Sequence, residues 1–333
     1  LSGPTDLPSR IVNGKKSEKE GISLIVVSDV EISERSQNTV KLLNSLESRN
    51  VDLLMHTGDF AYNIQTDNGM KGDEFFKTIQ NATQKIPYIV TPGNHESFDD
   101  FKLFNYRFQM PNTVNGRNDY YDFLYRGVYF ISINYDYYLK RAPERKVEIL
   151  GWVIDRMNWL NRLDPGKVQW KVVLSHRPII CNDLKYSKDC YVNMYELKPF
   201  EEIFVKHGFS LVLSAHLHLY ARLKPMYNLK LTGPPPGQSN YVQCIAGHAG
   251  TAHYFSTADN PIFEYPWVDK YEGTHPSILM LTFTQSAISG SLISSIDGST
   301  LDAFSIPRGS IGRGWAYTVI CIVGVIVMIG GIY

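Results

Sequence analysis

The feature that most constrains this chain is a set of short, unbroken apolar runs, each leading to an acid, an amide or a histidine. Leu24-Ile25-Val26-Val27 stops at Ser28-Asp29, Val51 to Met55 leads to Asp59, and Tyr88-Ile89-Val90 leads to Asn94 and His95. Val172-Val173-Leu174 leads to His176, and Leu211-Val212-Leu213 to His216 and His218. Runs this short that do not alternate with polar residues read as strands buried on both faces. Open α/β sheets place their ligand sites just past the carboxyl ends of such strands.

The stretches between them carry helical spacing. Gln37 to Arg49, a segment around Phe75, Phe76 and Ile79, a face of Leu150, Val153, Met157 and Leu160, and Tyr195 to His207 are expected helices. Tyrosine-rich sequence from Tyr120 to Asn134 reads as a pair of strands, with Tyr120, Tyr121, Tyr125, Tyr129, Tyr135, Tyr137 and Tyr138 packing against a sheet. Gly233 to Gly237 is a turn, and the later runs 241–246, 277–283 and 290–296 are expected to be antiparallel strands. Strands alternating with helices, then strands alone, predict a layered α/β domain with two packed sheets. There is no internal repeat. Residues 1–20 form a polar lead, 21–307 one domain and 308–314 a linker.

Composition narrows the function. The 33 Lys and Arg balance 33 Asp and Glu, which leaves no basic excess for a nucleic acid, so that partner is not expected. Of four cysteines only Cys181 and Cys190 look like a pair; a bridge there implies an oxidising compartment. The sequon Asn81-Ala82-Thr83 agrees with secretion. The 19 residues from Trp315 to Tyr333 carry no charge and are long enough to cross a bilayer, as an anchor, a single pass or a removable GPI signal. The expected location is therefore the secretory pathway, cell surface or a lysosome-like compartment, with the folded domain outside or in the lumen.

Singly, the acids and histidines are weak signals, because a lone histidine is more often a hydrogen-bonded core residue than a ligand. As a set they are what two adjacent metal ions require: hard oxygen donors and imidazoles at one sheet edge. Asp59 is placed to bridge the ions. His216 and His218, two apart on an extended segment, would project to the same side and reach one ion each.

These residues carry a resemblance. Asp29, Gly58-Asp59-Phe60-Ala61-Tyr62, Gly93-Asn94-His95-Glu96, Val173-Leu174-Ser175-His176 and Ala215-His216-Leu217-His218 resemble the five ordered motifs of the purple acid phosphatases, within the calcineurin-like metallophosphoesterases. The flanking Thr91-Pro92 and His176-Arg177-Pro178 resemble the long-form animal and plant-type members. The resemblance implies an α/β four-layer sandwich of two packed mixed β-sheets flanked by helices, followed here by a C-terminal hydrophobic helix. It implies Fe(III) on Asp29, Asp59, Tyr62 and His218, and a divalent Zn, Fe or Mn on Asp59, Asn94, His176 and His216. Tyr62, as phenolate, is the ligand that favours ferric iron. The implied reaction is hydrolysis of phosphate monoesters at acid pH by metal-activated hydroxide, with His95 donating a proton or holding the phosphoryl group. A phosphodiesterase or nucleotide hydrolase on the same centre is the alternative enzyme; a weakly catalytic, membrane-tethered metal- or phosphate-binding protein is the alternative outside enzymes.

Two departures bear on activity. The family's D-x-G start is Asp29-Val30-Glu31 here, so Glu31 either turns outward or adds negative charge beside the metals. After Pro178 no histidine occurs until His207, where relatives carry one or two that hold substrate; Lys185, Tyr186, Lys188 or Tyr191 are the candidates to replace them. His56 reads as a supporting or core residue, and His248 and His253 as loop residues.

Overall fold

The computed structural model describes residues 21–46, 50–164, 166–181, 188–228, 230–231, 241–251 and 265–308. In chain order these form β1 (Ile22–Val27), α1 (Gln37–Asn44), β2 (Leu53–His56), α2 (Met70–Thr78), α3 (Gln80–Thr83), β3 (Tyr88–Val90) and α4 (Lys102–Arg107). Then follow β4 (Tyr120–Tyr125), β5 (Val128–Ile133), α5 (Tyr135–Leu139), α6 (Pro143–Asn161), β6 (Trp170–Leu174), α7 (Lys188–Glu196), α8 (Lys198–Lys206) and β7 (Leu211–Ser214). The rest is β8 (Tyr220–Leu223), β9 (Met226–Tyr227), β10 (Lys230–Leu231), β11 (Val242–Ala246), β12 (Val268–Glu272), β13 (Ser277–Phe283), β14 (Ala287–Ser294) and β15 (Thr300–Pro307).

Two mixed sheets result. One has the order β15-β14-β13-β1-β2-β3 and the other β12-β8-β11-β7-β6-β5-β4. The strands that lead to the site run parallel within each sheet: β1 with β2 and β2 with β3, then β6 with β5 and β7. The apolar runs are buried on both faces for a simple reason. Leu24, Val26, Leu53 and Met55 face Phe130, Val172, Leu174, Leu211 and Leu213 of the other sheet. Ile25, Val27 and Leu54 face outward with Leu42, Leu43 and Phe75 of the covering helices, while Val173 and Val212 back onto a layer that includes Ile149, Val153 and Phe200. Each such side chain contributes about 1.5–3 kcal/mol on burial, so the runs are held in register from both sides. Polar ties also cross between the sheets. The Tyr121 hydroxyl donates to Val90 O (2.8 Å), Trp170 Nε1 to Thr284 O (2.7 Å) and the Tyr220 hydroxyl to Asp302 (2.8 Å).

This is the expected two-sheet α/β sandwich, with several local differences. The first helix stops at Asn44, where Ser45 closes it with backbone bonds to Lys41, Leu42 and Leu43. The helix expected over 195–207 is two helices meeting at Leu197, because Pro199 lacks an N–H and starts a new helix rather than continuing one. On α6 the buried stripe is Ile149, Val153, Met157 and Leu160, so Ile149 takes the inward position expected of Leu150. β11 is antiparallel to β8 but parallel to β7, since the chain descends as β8 and re-enters beside β7 in the same direction. β14 begins at Ala287 and ends at Ser294, and β15 was not anticipated. Asp302 occupies an inward position of β15, where it accepts from Tyr220 and Arg222, and this breaks the apolar pattern.

Of the tyrosine cluster, Tyr120, Tyr121, Tyr129, Tyr135, Tyr137 and Tyr138 are buried. Cys181 and Cys190 form the expected disulfide. No helix among the described residues is long and apolar enough to cross a membrane. The expected segments 1–20 and 315–333, the turn 233–237 and His253 lie outside the described residues, as do the structure of 182–187 and the side chains of Lys188 and Tyr191.

Candidate metal centre

The site forms where the carboxyl ends of the parallel strands meet. The turns after β1 and β2 are joined by backbone bonds from Asp29 N to Gly58 O (3.1 Å) and from Val30 N to Asp59 O (3.3 Å). The second sheet is attached through His176, whose Nδ1 lies 2.8 Å from Thr57 O, and Ala215 N donates to His176 O (2.8 Å). These turns are unusual in conformation. Asp29, Asp59, Ala61, Tyr62, Asn63 and His216 all have positive φ. For Ala and Tyr the left-handed region costs about 1–2 kcal/mol each, and such strain persists only where surrounding contacts over-determine it. Here Ala61 N donates to Val30 O (2.8 Å) and Lys71 Nζ to Tyr62 O (2.9 Å). The approach is also close. A Cβ on Gly93 would lie 2.2 Å from Asp59 Oδ1, and one on Gly58 2.6 Å from His176 Nδ1.

Two donor groups result, sharing one carboxylate: Asp59, His176 and His216, and Asp29, Asp59 and His218, with ligand atoms inside each group within 4.8 Å of one another. The Tyr62 hydroxyl donates to Asp29 Oδ1 (2.9 Å) and lies 2.7 Å from His218 Nε2, which places it with the second group. Asn94 Oδ1 lies 3.1 Å from His176 Nε2, which places it with the first. All seven residues expected as ligands therefore converge. His216 and His218 reach the two groups by a different route from the expected extended segment: His216 sits in a bend at φ 69°.

The electrostatics fit cations. Asp29 and Asp59 are 0% and 1% exposed, and buried carboxylates are costly unless compensated. Burial works against the charge on Asp29, but His218 and His176 hold its carboxyl well below the usual range. Burial also works against a charge on His176, yet Asp59, with Asp29 and Asp136, raises it to about 10. Burial and then the Arg177 charge hold His216 well below its ordinary value. Burial, with Asp29 and Asp59 beside it, pushes Tyr62 far above the ordinary phenol range, so its phenolate form requires a neighbouring cation. Oxygen-rich and imidazole donors around a shared carboxylate suit two metal ions, and the residues present fit the pair that the family resemblance implies.

His95 stands at the rim. Its side chain is 30% exposed, Nε2 is 3.8 Å from Asp59 Oδ2, its backbone N donates to Asp59 Oδ1 (3.0 Å) and Nδ1 is 2.9 Å from Asn63 Oδ1. Its ring packs on Tyr62 at 4.6 Å between centroids. Glu31 turns outward, accepting from Ser33 Oγ (2.8 Å) and Arg35 Nη1 (3.3 Å). His56 is a core residue against Phe60, and His248 is buried in the loop after β11.

Three supporting residues were missed. Glu96, 2% exposed, receives three backbone N–H groups; it stands inside a quoted motif, but nothing in its type marks it. Asn63 contacts His95, and no sequence signal distinguishes it. Asp136, hidden among tyrosines, accepts from Arg177 Nε (2.6 Å), while Arg177 Nη1 donates to His216 Nε2 (3.1 Å).

Comparison with known proteins agrees with this geometry. Residues 22–220 match the calcineurin-like phosphoesterase family. Acid phosphatase type 7 of Danio rerio is 32% identical over 238 residues, 66% of this chain and 53% of that protein. The Homo sapiens protein of the same name is 28% identical over 294 residues, 79% of this chain and 62% of that one. The chain thus spans little more than half the length of these relatives. The solved purple acid phosphatase PPD1 of yellow lupin (Lupinus luteus) shares the fold with a TM-score of 0.68 at 18% identity, over 87% of this chain and 54% of that one. The match over residues 22–220 and the convergence of the motif residues make this chain a member of the calcineurin-like phosphoesterase family, related to acid phosphatase type 7 and the purple acid phosphatases.

Proposed function

We propose that this chain hydrolyses phosphate monoesters at acid pH on a centre of Fe(III) and a divalent Zn, Fe or Mn. The observation that carries the reading is the pair of donor groups sharing Asp59. Asp29, Asp59, Tyr62 and His218 would hold the ferric ion, and Asp59, Asn94, His176 and His216 the divalent one. Bound there, the ions supply positive charge for phosphate oxygens and activate water as the nucleophile.

The remaining chemistry belongs to the chain. His95, exposed at the rim and held at Nδ1 by Asn63, presents Nε2 to an incoming ester, where it donates a proton to the leaving alkoxide. Arg177, tied to Asp136, supports His216 from outside the donor group. The outward turn of Glu31 supports an active centre over a weak binding protein. The disulfide and the exposed Asn81 of α3 support a secretory, extracellular or lumenal location, with 315–333 as the proposed membrane tether.

A pH–rate profile on an aryl phosphate monoester, with the matching diester alongside, tests the reading. The expected outcome is monoester turnover with an acid optimum, a fall of roughly 10²-fold or more in kcat for His95→Ala, and a visible tyrosinate band lost in Tyr62→Phe. Diester turnover exceeding monoester turnover would favour the diesterase reading. A folded, doubly metallated sample that turns over neither ester would overturn both.

A further inference from the structure

Glu96 belongs to neither donor group, yet its carboxylate is the point where two ligand-bearing turns meet. Oε2 accepts from Asp59 N (2.9 Å) and Gly93 N (2.8 Å), and Oε1 from Phe60 N (2.9 Å). Asp59 and Phe60 lie in the turn after β2, and Gly93 in the turn after β3. The first of these needs fastening: beside Gly58, Asp59 and Asn63, which tolerate the left-handed region, Ala61 and Tyr62 also have positive φ, which their side chains oppose. The two turns are packed as tightly as backbone allows, since a Cβ on Gly93 would come within 2.7 Å of Asp59 N as well as striking its carboxylate. A carboxylate with two acceptor oxygens satisfies the three donors at once. An amide cannot, because its NH2 group must face at least one of them.

We propose that Glu96 is a positioning residue: its carboxylate holds the left-handed turn Gly58–Asn63 against the turn bearing Asn94, and so sets how tightly the donor groups around Asp59 bind metal. The conformational part stands on the hydrogen bonds alone. The part concerning metal affinity rests on the dimetal reading above.

The test compares the parent with Glu96→Gln and with a control, Glu201→Ala. Glu201 is also buried and accepts from Asn228 N (3.2 Å) and the Tyr241 hydroxyl (3.3 Å), but it lies on α8 and is in neither donor group. Amide exchange in metal-free protein is read over peptides covering 57–63 and 91–97, and Zn2+ or Mn2+ affinity is measured separately by calorimetry below the melting range. In Glu96→Gln, exchange in both peptides is expected to quicken at least tenfold and metal affinity to fall by about 10–100-fold, the range for lost ligand support. The control is expected to melt earlier with both readouts unchanged. Unchanged exchange and affinity in Glu96→Gln would overturn the proposal, as would equal changes in the control, which would reveal a general loss of stability. If the parent takes up no metal, the dimetal reading fails, and the exchange result still decides whether Glu96 holds the turns. Should Glu96→Gln not fold, Glu96→Asp, which keeps the carboxyl group but withdraws it by one methylene, is read in the same two ways, with quickened exchange expected and unchanged exchange again overturning the proposal.

Discussion

His56, the last residue of β2, is 1% exposed, with Nδ1 2.6 Å from the Tyr88 hydroxyl and its ring on Phe60 at 4.0 Å. Burial drives its pKa from 6.5 down to about 3, the charge on Asp29 opposing and that on His176 assisting. The unfolded chain therefore takes up this proton below pH 6.5 while the folded chain does not, so stability is present above 6.5 and is lost as pH falls toward 3. Between pH 7 and 5 this amounts to about 2 kcal/mol. The proposed acid reaction runs in the window where His56 weakens the fold. Urea unfolding of the parent at pH 7 and pH 5 is expected to show this loss, and His56→Gln, whatever its stability at neutral pH, to show a loss smaller by about 2 kcal/mol. Parallel pH dependences in the two proteins would exclude His56 as the cause.

Among the elements, the turns after β2 and β3 carry most of the site's geometry, and glycine is what lets them touch. Gly93→Ala places a methyl group 2.2 Å from Asp59 Oδ1 and 2.7 Å from Asp59 N, where backbone on one side leaves nowhere to move. Overpacking of this kind costs about 1–3 kcal/mol. The expected outcome is a folded protein with stability lowered by that amount and at least tenfold weaker metal binding, checked by calorimetry; unchanged affinity would show that the turns are looser than the contacts indicate. These elements also explain what the sequence made legible. Continuous apolar runs announced β1, β2, β3, β6 and β7, and the acids, amide and histidines at their ends announced six of the seven candidate donors, Tyr62 following only from the family resemblance. β15 was not legible, because Asp302 answers Tyr220 and Arg222 on another sheet, and partners so distant leave no local pattern. Glu96 escaped for a related reason: it binds backbone N–H groups, and backbone partners have no residue type to read.

For the whole molecule, the donor set draws on both sheets. Asp29, Asp59, Tyr62 and Asn94 follow strands of one, and His176, His216 and His218 follow strands of the other. Ions bound across them stabilise the packing of sheet on sheet as well as the site. At a hundredfold excess over its Kd a metal that binds only the folded state contributes about 2.7 kcal/mol, so the melting midpoint is expected to rise with metal concentration and fall on chelation. Asp59→Ala removes the residue both groups share and is expected to abolish that rise. An equal rise in the variant, followed by scanning calorimetry, would place the stabilising ion elsewhere.

The first strand of the domain waits longest for its partner. β1 is the first strand among the described residues, yet its antiparallel neighbour is β13, with Ile22 paired to Phe283. During synthesis one edge of β1 therefore stays unpaired until residues 277–283 have been made, and β14 and β15 then extend the sheet in chain order as a simple meander. The candidate ligands are all translated before that edge is closed. A nascent chain can thus hold every candidate donor while its first sheet still offers the edge of β1 to a neighbouring chain, and the meander of β13 to β15 then moves that open edge from a strand that carries the site to one that does not.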